Sequence, residues 1–393
     1  MRTPLTVGLV LLAILLVAGF AFDSDDKAAA PKPAKTEPAT PIATIERRVE
    51  QIRDLRYETL PRPQTVSPAQ AKRDGLEDLD RNYPAARRHA DEEVLKLLGL
   101  LKPDVDLRKV SGTIFGQGVA GYYDPRTKHL RVVSGAQTTN RFLYEITLAH
   151  ELTHALEDQH FKLDLESSSS DDAGLANLAL VEGSATAVMF TYAERYFTSE
   201  QSLGGLLSSL GQDTGDLPPF IEAQLIFPYV QGQEFIKRLY AAGGWGVVDA
   251  AYRFRPPTSS EQIMHPDKYL AVEQPDKVRL QASPGAGWRR VVGGTWGEWA
   301  TGQLIGNEAA TGWGGDRYEL WQRGSDDCAA PCRDRDALVM RWRWDDRASA
   351  RRFEGALNEW SVGKPGALAV GSRGLEVALA LAPSQDLAER LVE

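Results

Sequence analysis

Two histidines and two glutamates carry the chemistry that can be read from this chain. His150 and His154 stand four residues apart in the run His150-Glu151-Leu152-Thr153-His154. On a helix that spacing puts both imidazoles on one face, about one turn apart, so one ion can be reached by both. Glu151 follows His150 directly and so stands beside that ion. Zinc held by neutral imidazoles with one position open to water lowers the pKa of that water to about 7, and a neighbouring carboxylate can take its proton. The competing reading is a pair of core histidines satisfied by backbone carbonyls.

A catalytic zinc needs a third protein ligand. The next long helical stretch offers Glu182, within Leu178-Ala179-Leu180-Val181-Glu182-Gly183-Ser184-Ala185. Leu175, Leu178, Ala179, Ala185 and Met189 recur around it at helical spacing, which turns Glu182 toward a packed face. A lone carboxylate there is costly, and a dication removes the cost. Gly183 is expected to let this helix approach the first one closely. Without a metal, Glu182 would need Arg195 or a tyrosine as its partner.

The stretch His150 to His160 reads H-E-L-T-H-A-L-E-D-Q-H, and Glu182-Gly183 opens an E-G-x-A run. Together they resemble the gluzincin zinc peptidases, the thermolysin-like group, and more specifically a bacterial family of envelope-associated neutral zinc metallopeptidases. Gly121-Tyr122-Tyr123-Asp124-Pro125, the stretch from Pro257 through Glu261 and His265 to Pro266, and Gly312-Trp313-Gly314-Gly315-Asp316-Arg317 carry the likeness further, over about residues 45–360. The resemblance implies His150, His154 and Glu182 as ligands of a Zn2+ ion, Glu151 as general base and a peptide or protein as substrate. One position departs from the thermolysin pattern. Thr186 stands four residues after the glutamate ligand, where thermolysin has an aspartate that orients a histidine. Glu157 and Asp158 are the nearby carboxylates that would fix a histidine tautomer instead.

Zinc peptidases also use a donor facing the developing oxyanion, a role for which His265, Tyr229 and Tyr269 are the candidates. Leu130 to Val133, just before the metal helix, reads as one arm of a hairpin turning at Asp124-Pro125-Arg126-Thr127. It is either an edge strand that binds substrate backbone or an ordinary structural strand.

These groups need elements to hold them. Residues 1–22, with Arg2 ahead of an apolar run from Leu5 to Phe22, read as a signal peptide or an N-terminal membrane anchor that leaves the rest outside the cytoplasm, in the periplasm, cell envelope or medium. Residues 23–44 are a Pro/Ala-rich linker. Helices follow at Ile45 to Leu55, after Ser67-Pro68 and after Pro84, with Arg81, Arg87, Arg88 and Asp91 as a solvated face. Asp172 is a candidate cap for the Glu182 helix, and Leu203 to Gly215 reads as a loop or a mobile cover. Phe227 to Gly243 is a further helix.

Beyond Tyr269 strands and helices alternate. Leu338, Met340, Trp342 and Trp344 share one face of a half-buried strand, Asp345 or Asp346 caps a helix, and Leu375 to Leu381 is a strand. The expected fold is α+β: a mainly helical zincin-like catalytic domain at 45–270 and a smaller α+β unit at 271–393. Cys328 and Cys332 are the chain's two cysteines and are expected to pair in an oxidising compartment. A formal net charge of -9 argues against phosphate-driven nucleic-acid binding. The function expected is a zinc-dependent peptidase of the bacterial envelope; the alternative is a non-catalytic envelope binding protein with a structural or vestigial zinc site.

Overall fold

The computed structural model describes residues 40–117, 121–134, 141–164, 168–197, 217–280, 282–324 and 330–393, and the backbone of 11–13. The fold is α+β, with fourteen helices and two sheets among the described residues. The first part is helical: α1 (Ile42–Arg53), α2 (Pro68–Asn82), α3 (Ala85–Leu97) and α4 (Leu107–Gln117) precede a small sheet. Ser67 caps α2, its hydroxyl accepting from the Gln70 amide, with Pro68 at the first helical position where no amide is needed.

The small sheet has the order β1-β3-β4-β2, from Leu11–Ala13, Gln64–Val66, Gly121–Asp124 and His129–Val133. The Asp124 carboxylate closes the hairpin by accepting from the Arg126 amide at 2.9 Å and the Thr127 hydroxyl at 2.7 Å. β4 lies between β3 (antiparallel) and β2 (parallel), so Leu130 to Val133 is an interior strand and not an edge. The outer side of β3 is instead paired by β1, Leu11↔Tyr123 to Ala13↔Gly121.

Helix α5 (Arg141–Phe161) crosses this sheet, and α6 (Asp171–Tyr196) packs on α5. Helix α7 (Pro219–Gly243) runs beside α6 in the same direction, Phe220 and Gln224 lying by Asp171 and Leu175 and Gly232 by Gly183. By length and composition α6 would suit a membrane, yet 89% of its apolar window is buried inside the protein. It is a core helix. Its cap is Ser170, whose hydroxyl accepts from the Ala173 amide at 3.1 Å. Asp172 does not cap it; that carboxylate is buried and accepts from the Ser260 amide at 3.0 Å.

Short helices α8 (Trp245–Arg253), α9 (Ser260–Met264) and α10 (Pro266–Leu270) lead to the second sheet, of order β5-β6-β7-β9-β8. Its strands are Trp288–Gly294, Trp313–Arg323, Asp336–Trp344, Ala367–Arg373 and Glu376–Ala382, with α11 (Gly297–Ile305), α12 (Asn307–Ala310), α13 (Arg347–Ser361) and α14 (Gln385–Val392). Asp346 caps α13 through the Ala348 and Ser349 amides. β7 is not half-buried. Both its faces are covered, because Val339 packs with Leu387 and Leu391 of α14 on the side opposite Trp342.

One buried cluster runs from Ala71 of α2 through Leu180 and Phe235 to Trp342 and Leu381, so the helical part and the larger sheet share a core. The join is polar as well as apolar. Arg87 and Asp91, expected on a solvated face, are held there: Arg87 bonds Asp91 at 2.9 Å and Asp171 at 3.2 Å, and Tyr318 of β6 donates to Asp171 at 3.0 Å. Arg88 is buried too, while Arg81 keeps a side chain 43% exposed. Cys332 is in a disulfide and no free cysteine is found among the described residues; Cys328 lies outside them, as do Leu203 to Gly215.

Burial pushes the Asp172 carboxyl up to about 8, against about 3.9 for an exposed aspartate. The folded state therefore binds a proton that the unfolded chain releases above about pH 4. This contribution to stability is complete below that pH and is lost as pH rises toward 8. Asp172→Asn keeps an acceptor for Ser260 and cannot ionise. Its thermal midpoint should fall less than the wild type's between pH 5 and pH 8; parallel declines of the two proteins would contradict the assignment.

Candidate metal centre

Helix α5 is buried almost all round, with Ile146, Ala149, Leu152 and Leu156 fully enclosed, and that enclosure carries His150, Glu151 and His154 into the interior. The two imidazole Nε2 atoms lie 3.0 Å apart. The Glu182 carboxylate enters from α6, its Oε2 lying 3.1 Å from His150 Nε2 and 3.4 Å from His154 Nε2. Three donors on two helices thus converge on one point. Zinc with four bonds of about 2.0–2.1 Å in tetrahedral array holds its ligand atoms about 3.3 Å apart, close to all three separations. The residues fit that ion.

Among the described residues Glu182 meets no arginine or tyrosine; the two histidines face it. Burial raises its pKa, but the charge and hydrogen bonds of His154 and His150 outweigh burial and hold the carboxyl at about 2. Among the described residues the group comprises these three side chains. Glu151 is fully buried, and its Cγ lies 3.6 Å from where a side chain on Gly121 of β3 would begin. Glu151 therefore sits under the strand whose outer edge takes Leu11–Ala13.

Two other acidic groups have metal-like spacing, and each is accounted for otherwise. Glu261, Glu273 and Asp345 surround the Lys268 ammonium at 2.6, 2.7 and 2.6 Å, so a lysine stands where a cation would. Beside Glu93 and Asp336 the Cys332 sulfur is committed to a disulfide and offers no thiolate.

Neither Glu157 nor Asp158 orients a histidine. Glu157 accepts from Arg53 Nε at 2.6 Å, from the Ser184 hydroxyl at 2.5 Å and from the Tyr252 hydroxyl at 2.9 Å. Asp158 takes the Tyr123 hydroxyl at 2.7 Å and Lys128 Nζ at 2.6 Å. Both histidine Nδ1 atoms are buried and meet no acceptor among the described residues. The rings are set by packing: His150 and His154 meet edge to face at 4.6 Å, and Tyr229 of α7 stacks on His150 at 6.1 Å.

Glu157 does something else for the site. It is three residues after His154, and Ser184 is two after Glu182, so their bond locks the register of α5 against α6. Arg53 extends the lock to α1, lying fully buried between the rings of Trp245 and Phe161 and also reaching Asp249 at 2.7 Å. Gln159 and His160 tie the segment after α1 to the same helix. Gln159 Oε1 accepts from the Glu58 amide at 2.7 Å, and His160 Nε2 lies 2.7 Å from the Arg56 carbonyl oxygen. Gly183 has a different partner from the one its spacing suggests. It meets α7, where a Cβ on Gly183 would lie 2.3 Å from the Gly232 carbonyl carbon.

Of the three oxyanion candidates, Tyr229 alone stacks on a ligand. Tyr269 donates its hydroxyl to the Arg255 carbonyl at 2.8 Å, and His265 Nε2 pairs with Glu298 at 3.0 Å, a hydrogen bond that raises the histidine pKa. The downstream motifs are structural around that point. Ser260 accepts from the Trp299 amide at 3.2 Å, and Asp316 accepts the Trp296 and Gly297 amides at 2.6 and 2.7 Å.

A family described as "Domain of unknown function (DUF8575)" matches residues 269–390. No curated protein matches the chain. Among solved structures, a candidate hydrolase with a novel fold from Chloroflexus aurantiacus is similar at 18% identity and a TM-score of 0.40, over 59% of this chain and 87% of that one.

Proposed function

We propose that the protein is a zinc-dependent peptidase acting outside the cytoplasm. The observation that carries this reading is the convergence of His150, His154 and Glu182 at 3.0–3.4 Å with Glu151 adjoining on the same helix. Zinc held there supplies a Lewis acid able to polarise a peptide carbonyl and acidify water. Glu151 accepts a proton from the attacking water, whose oxygen bonds to the carbonyl carbon. The same carboxyl then gives that proton to the amine as the C–N bond breaks. An extended segment laid along β3, as Leu11–Ala13 is, passes over Glu151, which suits a peptide backbone as substrate. Tyr229, stacked on His150, is the proposed oxyanion donor that touches the site.

The non-catalytic alternative requires a closed site of four protein ligands. The group found among the described residues has three, which favours the open, catalytic form. The test is purified protein loaded with zinc and offered a peptide library and unfolded protein. About one zinc per chain with no cleavage of either would sink the enzyme reading.

Glu182→Gln keeps the volume but removes the anionic ligand. Zinc affinity should fall by at least the ~100-fold that loss of an outer-shell partner can cost. Metal content after dialysis measures it. Unchanged retention would make Glu182 a structural acid.

A further inference from the structure

Helix α3 meets the larger sheet through two acids that face each other with no base between them. Glu93 of α3 and Asp336, which opens β7, are 2% and 1% exposed. Their carboxyl oxygens come within 4.8 Å of each other and of the Cys332 sulfur. Glu93 Oε1 accepts from the Cys332 amide at 2.6 Å. The Arg335 and Asp336 amides both donate to the Cys332 carbonyl at 2.9 Å, so Cys332 and Asp336 belong to one tight turn. The remaining oxygens, Glu93 Oε2 and both of Asp336, are buried and meet no donor among the described residues.

The charged groups around the pair are engaged elsewhere. On α3, Lys96 bonds Glu92 at 3.4 Å, and His89 lies on the Asp336 side. Arg289 of β5 and Gln322 of β6 face Asp336 and bond each other. In the turn, Arg333 faces Glu93 but bonds the Pro365 carbonyl at 3.0 Å, and Arg335 turns to Asp334. Two adjacent buried carboxylates with no bonded cation cannot both ionise cheaply. One proton between Glu93 Oε2 and Asp336 supplies the donor that the orphan oxygens lack. Burial, which the Cys332 amide only partly offsets, raises the Glu93 carboxyl to about 7, and burial raises Asp336 as well.

We propose that Glu93 and Asp336 hold one proton between them as a clasp that ties α3 to the disulfide-bearing turn and opens as pH rises toward neutrality. Loss of the proton leaves two carboxylates repelling each other in the interior, and parting relieves them. Opening frees the turn and uncovers Cys332, itself 2% exposed, so that access to the disulfide depends on pH. The closed clasp keeps its proton up to about pH 7, whereas an exposed glutamate releases it at about 4.3. Closure is therefore stabilised fully below about pH 4, loses that stabilisation as pH rises to 7 and changes little above it.

The test follows amide hydrogen exchange of residues 332–336 in the full-length protein, with each rate divided by the intrinsic rate at that pH. Wild-type protection should fall about tenfold or more from pH 5 to pH 7, because release of one proton shifts the opening equilibrium by up to about tenfold per pH unit. Glu93→Gln keeps an acceptor for the Cys332 amide and gives Asp336 a permanent donor, and Asp336→Asn gives Glu93 one. Protection in both variants should be flat over that range, and if one does not fold the other decides. Leu152 of α5 should change much less in the wild type. A flat wild-type profile overturns the clasp, and so does a fall of equal size in the variants. A fall in step with Leu152 makes the opening global and overturns it too. If calcium chloride restores wild-type protection at pH 7, the pair is a cation site and the shared proton is wrong.

Discussion

Glu151→Gln is expected to lower peptide hydrolysis by about 10²- to 10⁴-fold while zinc content stays at the wild-type level. The amide has nearly the carboxylate's shape, so the buried helix α5 should pack unchanged around it. It cannot accept the proton of an attacking water or return one to the leaving amine. Glu151 is not one of the three converging donors, which are His150, His154 and Glu182, so its replacement removes no bond to the ion. Hydrolysis rate and bound zinc are measured on the same preparation. A variant that retains full rate removes Glu151 from the chemistry. One that loses zinc together with activity makes it part of the metal site and not its base.

Arg53→Met should destabilise the fold by about 3–5 kcal/mol, the usual consequence of leaving one member of a buried ion pair alone. Arg53 and Glu157 are both fully enclosed at 2.6 Å, and the guanidinium lies 4.2 Å from the Trp245 ring centre. Methionine fills much of the stem's volume but leaves Glu157 with the Ser184 and Tyr252 hydroxyls as donors and no cation at its charge. The loss should appear in urea melts at neutral pH. Adding Glu157→Gln to Arg53→Met should recover a substantial part of it, since the stranded charge is gone. Zinc retention should fall in the single variant as well, because Glu157 and Ser184 hold the ligand helices in register. A change below about 1 kcal/mol would remove Arg53 from this role. The same contact predicts that a chain starting after α1 is destabilised, measured by the same urea melts.

Much of the metal centre was legible in the residues. His150, Glu151 and His154 lie on one helix, where spacing alone fixes which side chains share a face. Glu182 was legible from the cost of an acid among apolar neighbours, and it is indeed 2% exposed. Helix starts at Ser67 and Asp346 were readable because a cap is a contact between residues two or three apart. The α+β class followed from the change of hydrophobic period along the chain.

What spacing does not contain is the choice of partner across elements. Glu157 and Asp158 are within one helical turn of His154 along the chain, yet they face Arg53 and Tyr123, brought in from about 100 and 35 residues away by the packing of α1 and β3. Gly183 was recognisable as a point of close approach, but that its neighbour is Gly232 of α7 depended on how three helices cross. Leu130 to Val133 reads as a candidate edge from its own residues, but Gln64–Val66 pairs beside it. By itself the sequence determined that His150, Glu151 and His154 share one buried helix and that Glu182 is enclosed on another, since these are set by local periodicity and by the cost of burying charge. The tertiary structure decided which strand passes beside Glu151, that Tyr229 stacks on His150, and that a cavity opens past Gly232. Those depend on contacts between segments far apart in the chain, where the energies that choose a partner are shared among many side chains and leave no mark in any one stretch.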